Sequence, residues 1–124
     1  MLDQPEITAK INDLHATFLE PSAGEGAFLT ELLKRKLKVA AKQSKTASAF
    51  NTNALIALST LYGIEYLEDN VEMLVMNMMM TFSQCYSRMI VDDFDGRVND
   101  HVLKSAQVII RANMAQGDTL KGVT

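Results

Sequence analysis

Apolar positions along this chain switch between a helical period and short strand-like runs. Ile7, Ile11 and Leu14 recur on one face after Pro5, which predicts a helix over 5–15. Thr17, Phe18 and Leu19 form a β-branched and apolar run stopped by Pro21, which predicts a short buried strand at 16–20. Phe28, Leu29, Leu32, Leu33 and Leu37 share one face of a helix over 26–42. The polar stretch 43–53 reads as a connection and 54–59 as a short helical turn. Residues 61–66, Leu-Tyr-Gly-Ile-Glu-Tyr, read as a second buried strand that ends on a carboxylate. Val71, Leu74, Val75, Met78, Met79, Phe82 and Cys85 give the apolar side of a helix at 68–88, with acidic residues in its first turn. Asn99 caps a third long helix, with Val102, Leu103, Ala106, Ile109 and Ile110 inward, and 114–116 is a third short strand. Strand, helix and strand at this spacing predict parallel pairing with right-handed crossovers. The fold class is therefore α/β, with a parallel sheet of about three strands.

Length and charge narrow the picture only a little. A chain of 124 residues is one small domain, short for a complete α/β enzyme. A net charge of −3 gives no overall reason to expect a nucleic-acid or membrane surface. No apolar run approaches the ~20 residues that cross a bilayer, and no signal-peptide pattern is visible. Cys85 has no partner for a disulfide and reads as a buried, reduced thiol, which points to the cytoplasm. The basic run Lys34, Arg35, Lys36, Lys38, Lys42, Lys45 reads as solvated cations near a helix C-terminus, at the far end of the domain from the glycine loop. Met73, Met76, Met78, Met79 and Met80 read as core filling, with no metal implied. Residues 92–96, Asp-Asp-Phe-Asp-Gly, lack the alternation of a calcium loop and read as a turn. His15 and His101 stand outside any catalytic arrangement, and no nucleophile–base pair is visible.

The chemistry concentrates between the first strand and the first long helix. There Glu20, Pro21, Ser22, Ala23, Gly24 and Gly26 form a small-residue loop behind a carboxylate. Two glycines allow a sharp turn and close approach of a ligand, and the helix N-terminus presents unpaired N–H groups. Leu29 stands where a dinucleotide fingerprint would carry its third glycine, so an NAD-type site is disfavoured. Ligands of open α/β sheets bind beyond the strands' carboxyl ends, where Glu20, Glu65 and Asp118 would all sit.

Leu-Glu-Pro-Ser-Ala-Gly-Glu-Gly-Ala-Phe-Leu, Tyr-Gly-Ile-Glu-Tyr-Leu-Glu-Asp-Asn-Val-Glu and Asn-Met-Ala-Gln-Gly-Asp-Thr-Leu, in that order, resemble the cofactor half of the adenine-specific (N6) DNA methyltransferases of restriction–modification systems. The resemblance spans roughly residues 5–120 and implies a partial Rossmann-like methyltransferase fold. It implies S-adenosylmethionine as the ligand. Glu20 would take the methionine ammonium group, with the backbone of 22–26 around the amino-acid end. Glu65 would hold the ribose hydroxyls, Tyr66 would border the adenine, and Asp118, with Leu120 beside it, would accept from the adenine amino group. It further implies DNA as the substrate of a full-length enzyme and a restriction subunit as a partner.

The chain departs from that family in two ways. The catalytic Asn/Asp/Ser-Pro-Pro-aromatic motif is absent, because the only prolines are Pro5 and Pro21. The upstream Thr-Pro segment and a target-recognition domain are missing too. The expectation is one incomplete domain over 1–124 with no catalytic residue of its own, an internal piece of something longer. An unpaired sheet edge near Phe18 predicts self-association. The alternatives are a non-catalytic nucleotide- or S-adenosylmethionine-binding module of a larger assembly, or another α/β enzyme such as a small-molecule methyltransferase.

Overall fold

The computed structural model describes residues 13–117. Three short strands, β1 (Phe18–Glu20), β2 (Leu61–Glu65) and β3 (Met114–Gln116), form a parallel sheet in the order β1-β2-β3. Four helices complete the described residues: α1 (Ala27–Gln43), α2 (Ala47–Ser59), α3 (Glu68–Asp92) and α4 (Asp100–Asn113). The expected α/β class is thus the observed one.

Register decides which residues meet the helices. Phe18 pairs with Leu61 and Glu20 with Gly63, and Gly63 pairs in turn with Met114. Side chains alternate across a strand, so Leu61, Gly63 and Met114 share one face. That face is buried against the helical layer: Leu61 and Met114 are buried, and a Cβ on Gly63 would lie 2.7 Å from Leu29 Cδ1. The opposite face carries Leu19 and Tyr62, exposed at 60% and 40%. Parallel sheets are ordinarily covered on both faces. Here, among the described residues, one face is covered. β1 is also an edge strand among them, and the apolar residue it exposes is Leu19, not Phe18, which packs against the core.

The core lies between the helices and the sheet. α1 contributes Leu29, Leu32, Leu33, Leu37 and Ala40, α3 contributes Leu74, Met78, Phe82 and Tyr86, and α4 contributes Val102, Ala106 and Ile110. Phe50 stacks with Tyr86 and with Phe94 at centroid distances of 5.8 and 4.9 Å, and Phe82 stacks on Tyr86. The Tyr86 hydroxyl donates to Asn51 Oδ1 at 2.6 Å and accepts from Asn99 N at 3.2 Å. It therefore ties α2 to the start of α4, and burial pushes its pKa up.

Several expectations need correction. Residues 43–53 are not simply a connection: α2 begins at Ala47, and Thr46 caps it by accepting from Ala49 N at 3.1 Å. The turn expected at 54–59 is the second half of that helix. α3 continues past 88 to Asp92, because Met89 and Ile90 keep its apolar face buried. The helix expected over 5–15 falls mostly outside the described residues, and 13–15 form a turn in which His15 N donates to Asp13 Oδ1. That local bond competes with helical pairing. The methionine group divides: Met78 is fully buried, whereas Met73, Met76 and Met80 are exposed. A helix this long turns those three out of the core at intervals of three and four residues.

The largest departure is Lys36, expected among solvated cations and found with no exposed surface. Its Nζ donates to Ala16 O at 2.7 Å and to the Thr60 hydroxyl, and lies 5.4 Å from the Phe18 ring centroid. Lys36 sits in the apolar stripe of α1, and one ammonium joins the segment before β1 to the turn before β2. Desolvation lowers its pKa from 10.5 to about 8, opposed by the charge of Asp13.

Of the segment 92–96 expected as a turn, Asp92 is the last residue of α3 and the turn follows from Asp93. Gly96 N donates to Ile90 O at 2.8 Å, and Asp95 takes a left-handed φ of 50°.

Candidate functional site

The loop between β1 and α1 is held from several directions. Ala23 is buried, and its N–H donates to Ile64 O at 2.9 Å, which fastens the loop to β2. Gly26 caps α1 with φ 97°, a left-handed conformation that favours glycine. A Cβ there would stand 2.7 Å from Leu74 Cδ1, so α3 closes on the loop from the other side. Asn77 adds a bond from its Nδ2 to Glu25 O at 2.8 Å. Gly24 also has positive φ, 57°, but nothing lies within 4 Å of where its Cβ would point. At Gly24 the backbone is bent, fixed and open on one side. Pro21 and Ser22 are exposed at the start of the loop, where Ser22 N donates to Glu20 Oε1 at 3.0 Å.

Glu65, the last residue of β2, reaches across to this loop. Its Oε2 accepts from Gly24 N at 2.7 Å, and its Oε1 accepts from Tyr66 N at 2.9 Å and Leu67 N at 3.0 Å. The Leu67 N–H foremost, together with Gly24, Tyr66 and the Asn70 side chain, holds the Glu65 carboxyl below its ordinary range, against a smaller desolvation effect. Glu20 stands level with Gly63, two residues before Glu65. Both carboxylates therefore occupy the same face at the carboxyl ends of neighbouring strands.

Tyr66 follows at the same rim, half exposed, with its ring against Gly117: a Cβ on that glycine would fall 2.4 Å from the ring. Gln116 Nε2 donates to Tyr66 O at 2.7 Å, which brings the end of β3 to the end of β2. Glu20, the 21–26 loop, Glu65, Tyr66 and Gly117 thus border one rim. Asp118 and Leu120 lie outside the described residues. Sequence reasoning missed the Glu65–Gly24 bridge and the roles of Asn77 and Asn70. The bridge has no local signal, since its partners are far apart in the chain. Asn70, five residues after Glu65 in the first turn of α3, could have been singled out by its position.

Among the described residues, no three His, Cys, Asp or Glu side chains converge as metal ligands, and no helix is long and apolar enough to cross a membrane. The N–H groups of Ser22, Ala23, Gly24 and Gly26 already donate within the protein, so the rim offers carboxylate oxygens, which suit a ligand that carries positive charge and hydroxyls. Comparison with known protein families, with curated proteins and with solved structures finds no match to this chain.

Proposed function

We propose that this chain is the S-adenosylmethionine-binding part of a DNA adenine-N6 methyltransferase, a partial Rossmann-like unit that binds the methyl donor without transferring its methyl group. The observation that carries this reading is the bridge from Glu65 Oε2 to Gly24 N, which joins the second motif to the first at one sheet rim. The charge agrees, because sulfonium and ammonium groups favour a carboxylate-lined edge over a phosphate cradle. So does the space above Gly24, where a ligand can approach the backbone without meeting a Cβ.

The residues fit the donor with one condition. A carboxylate accepts at about four positions, and backbone N–H groups already take three at Glu65. Ribose hydroxyls would take the place of the Asn70 side chain and share the remaining acceptor capacity. Glu20, Pro21, Ser22, Ala23 and Gly26 would hold the amino-acid end, Tyr66 would border the base, and Asp118 and Leu120 would complete the site. When bound, the donor supplies an electrophilic methyl group; the chain lacks the Pro-Pro-aromatic motif that would present an adenine to it. DNA is then the substrate of the longer enzyme, with a restriction subunit as partner.

Titration calorimetry of the chain with S-adenosylmethionine and with NAD is the test. Binding of the first, weakened by Glu65→Ala and absent for NAD, is expected. Equal binding of both, or no heat with either, refutes the assignment and leaves Glu65 as a bracket between loop and strand.

A further inference from the structure

A second concave region lies on the helical flank, away from the rim. It is a groove of about 650 Å3 between α1 and α3, lined by Glu31, Lys34, Arg35, Lys38, Arg88 and Met89 among others. α1 and α3 run parallel here, since Gly26 meets Leu74 at one level and the 31–38 segment meets 84–89 further along. At a rise of 1.5 Å per residue, the groove is centred roughly 15 Å down the helices from the glycine loop. Among the described residues, four Lys and Arg side chains of this net-acidic chain line it, against one carboxylate. Glu31 is engaged with Arg35 at 3.5 Å, which leaves Lys34, Lys38 and Arg88, all exposed, to set the field. A concave surface walled by one sign of charge focuses its potential.

We propose that this groove binds the phosphate backbone of nucleic acid. Lys34 and Lys38 stand one turn apart, about 6 Å along α1, with Arg88 on the facing wall. That is a row of cations rather than a single converging pocket, and it suits an anion that repeats at regular intervals. Among the described residues no aromatic side chain lines the groove, and the buried residues lining it are Cys85 and Met89. Contact is therefore with phosphates and carries no base sequence. The inference stands on charge and shape alone and is independent of the methyl-donor reading.

Anisotropy of a labelled duplex of about 20 base pairs, titrated with the full chain without added methyl donor between about 50 and 200 mM salt, tests it. Three phosphate contacts give a slope of log affinity against log salt near −2.7, a loss of roughly 40-fold over that range. Lys34→Ala, Lys38→Ala and Arg88→Ala should each reduce the slope by about 1, to the same extent on unrelated duplex sequences. All three positions are exposed, and unchanged circular dichroism separates lost contact from lost fold. Absence of binding at low salt overturns the proposal, as does a slope that the triple variant leaves intact. Inorganic triphosphate that displaces the duplex at stoichiometric concentration, or poly-glutamate that competes equally per charge, also overturns it.

Discussion

Lys36→Met should remove the pH dependence of stability that this chain acquires from a buried ammonium. The folded-state pKa is lowered from 10.5 to about 8. Between those values the unfolded chain holds a proton on Lys36 that the folded chain has released. Stability therefore rises with pH across that window, and Lys36 adds no pH dependence below about 8, where both states are charged. At 1.36 kcal/mol per pKa unit the full gap corresponds to roughly 3 kcal/mol. Relaxation of the protein around the buried ammonium brings the expected rise to about 2 kcal/mol. Denaturant melts of wild type and variant from pH 7 to about 11 give the comparison, and the difference between them cancels other groups. One of those is Tyr86, whose raised pKa acts with the opposite sign. At pH 7 the variant loses the bonds to Ala16 O and Thr60 but also sheds a desolvated charge, so it should lie within about 1 kcal/mol of wild type. A wild-type-minus-variant difference that stays flat, or falls, between pH 8 and 10.5 would refute the burial argument.

Further expectations concern the loop, the core and the edge. Gly26→Ala should cost about 2–4 kcal/mol in a thermal melt, from the left-handed φ and the clash with Leu74, whereas Gly24→Ala, which meets open space, should cost about 1. Glu65→Gln should flatten the acid limb of stability: the folded pKa is lowered, so the carboxylate's contribution is present above its unfolded pKa and lost as pH falls through the folded one. Tyr86→Phe leaves Asn51 Oδ1 and Asn99 N without the hydroxyl and should cost about 1–2 kcal/mol by urea titration. Sedimentation at high concentration should show self-association through β1, suppressed by Leu19→Lys; a single monomeric species in the wild type sinks that expectation.

The three strands were legible because each is a short apolar run ended by a carboxylate or a turn residue, and α1 and α4 because their apolar positions repeat cleanly. α2 was not. Its buried positions are Phe50, Ala54, Ala57 and Leu58, small and widely set among Ser, Thr and Asn. Thr46 followed by an alanine-rich run was the available signal, a capping residue before good helix formers. Lys36 was also within reach: it stands three residues after Leu33 and four before Ala40, inside the apolar stripe. Its place in a basic run near the helix C-terminus assigned it to water, and position in the stripe overrode that. At the rim, residue types pointed to Glu20, the glycines and Glu65 from the sequence. The bridge between them depended on a strand register that no local pattern encodes.

β2 occupies the middle of the sheet, yet its partners in the register lie about 40 residues before it and about 50 after it. α1 and α2, by contrast, are near neighbours that can dock early. During synthesis the pair β1–β2, with the Glu65 bracket on the glycine loop, can close while β3 is still unmade. The last seam, between β2 and β3, waits for the end of α4 to be delivered, so exchange of its amides should report the final cooperative step of folding.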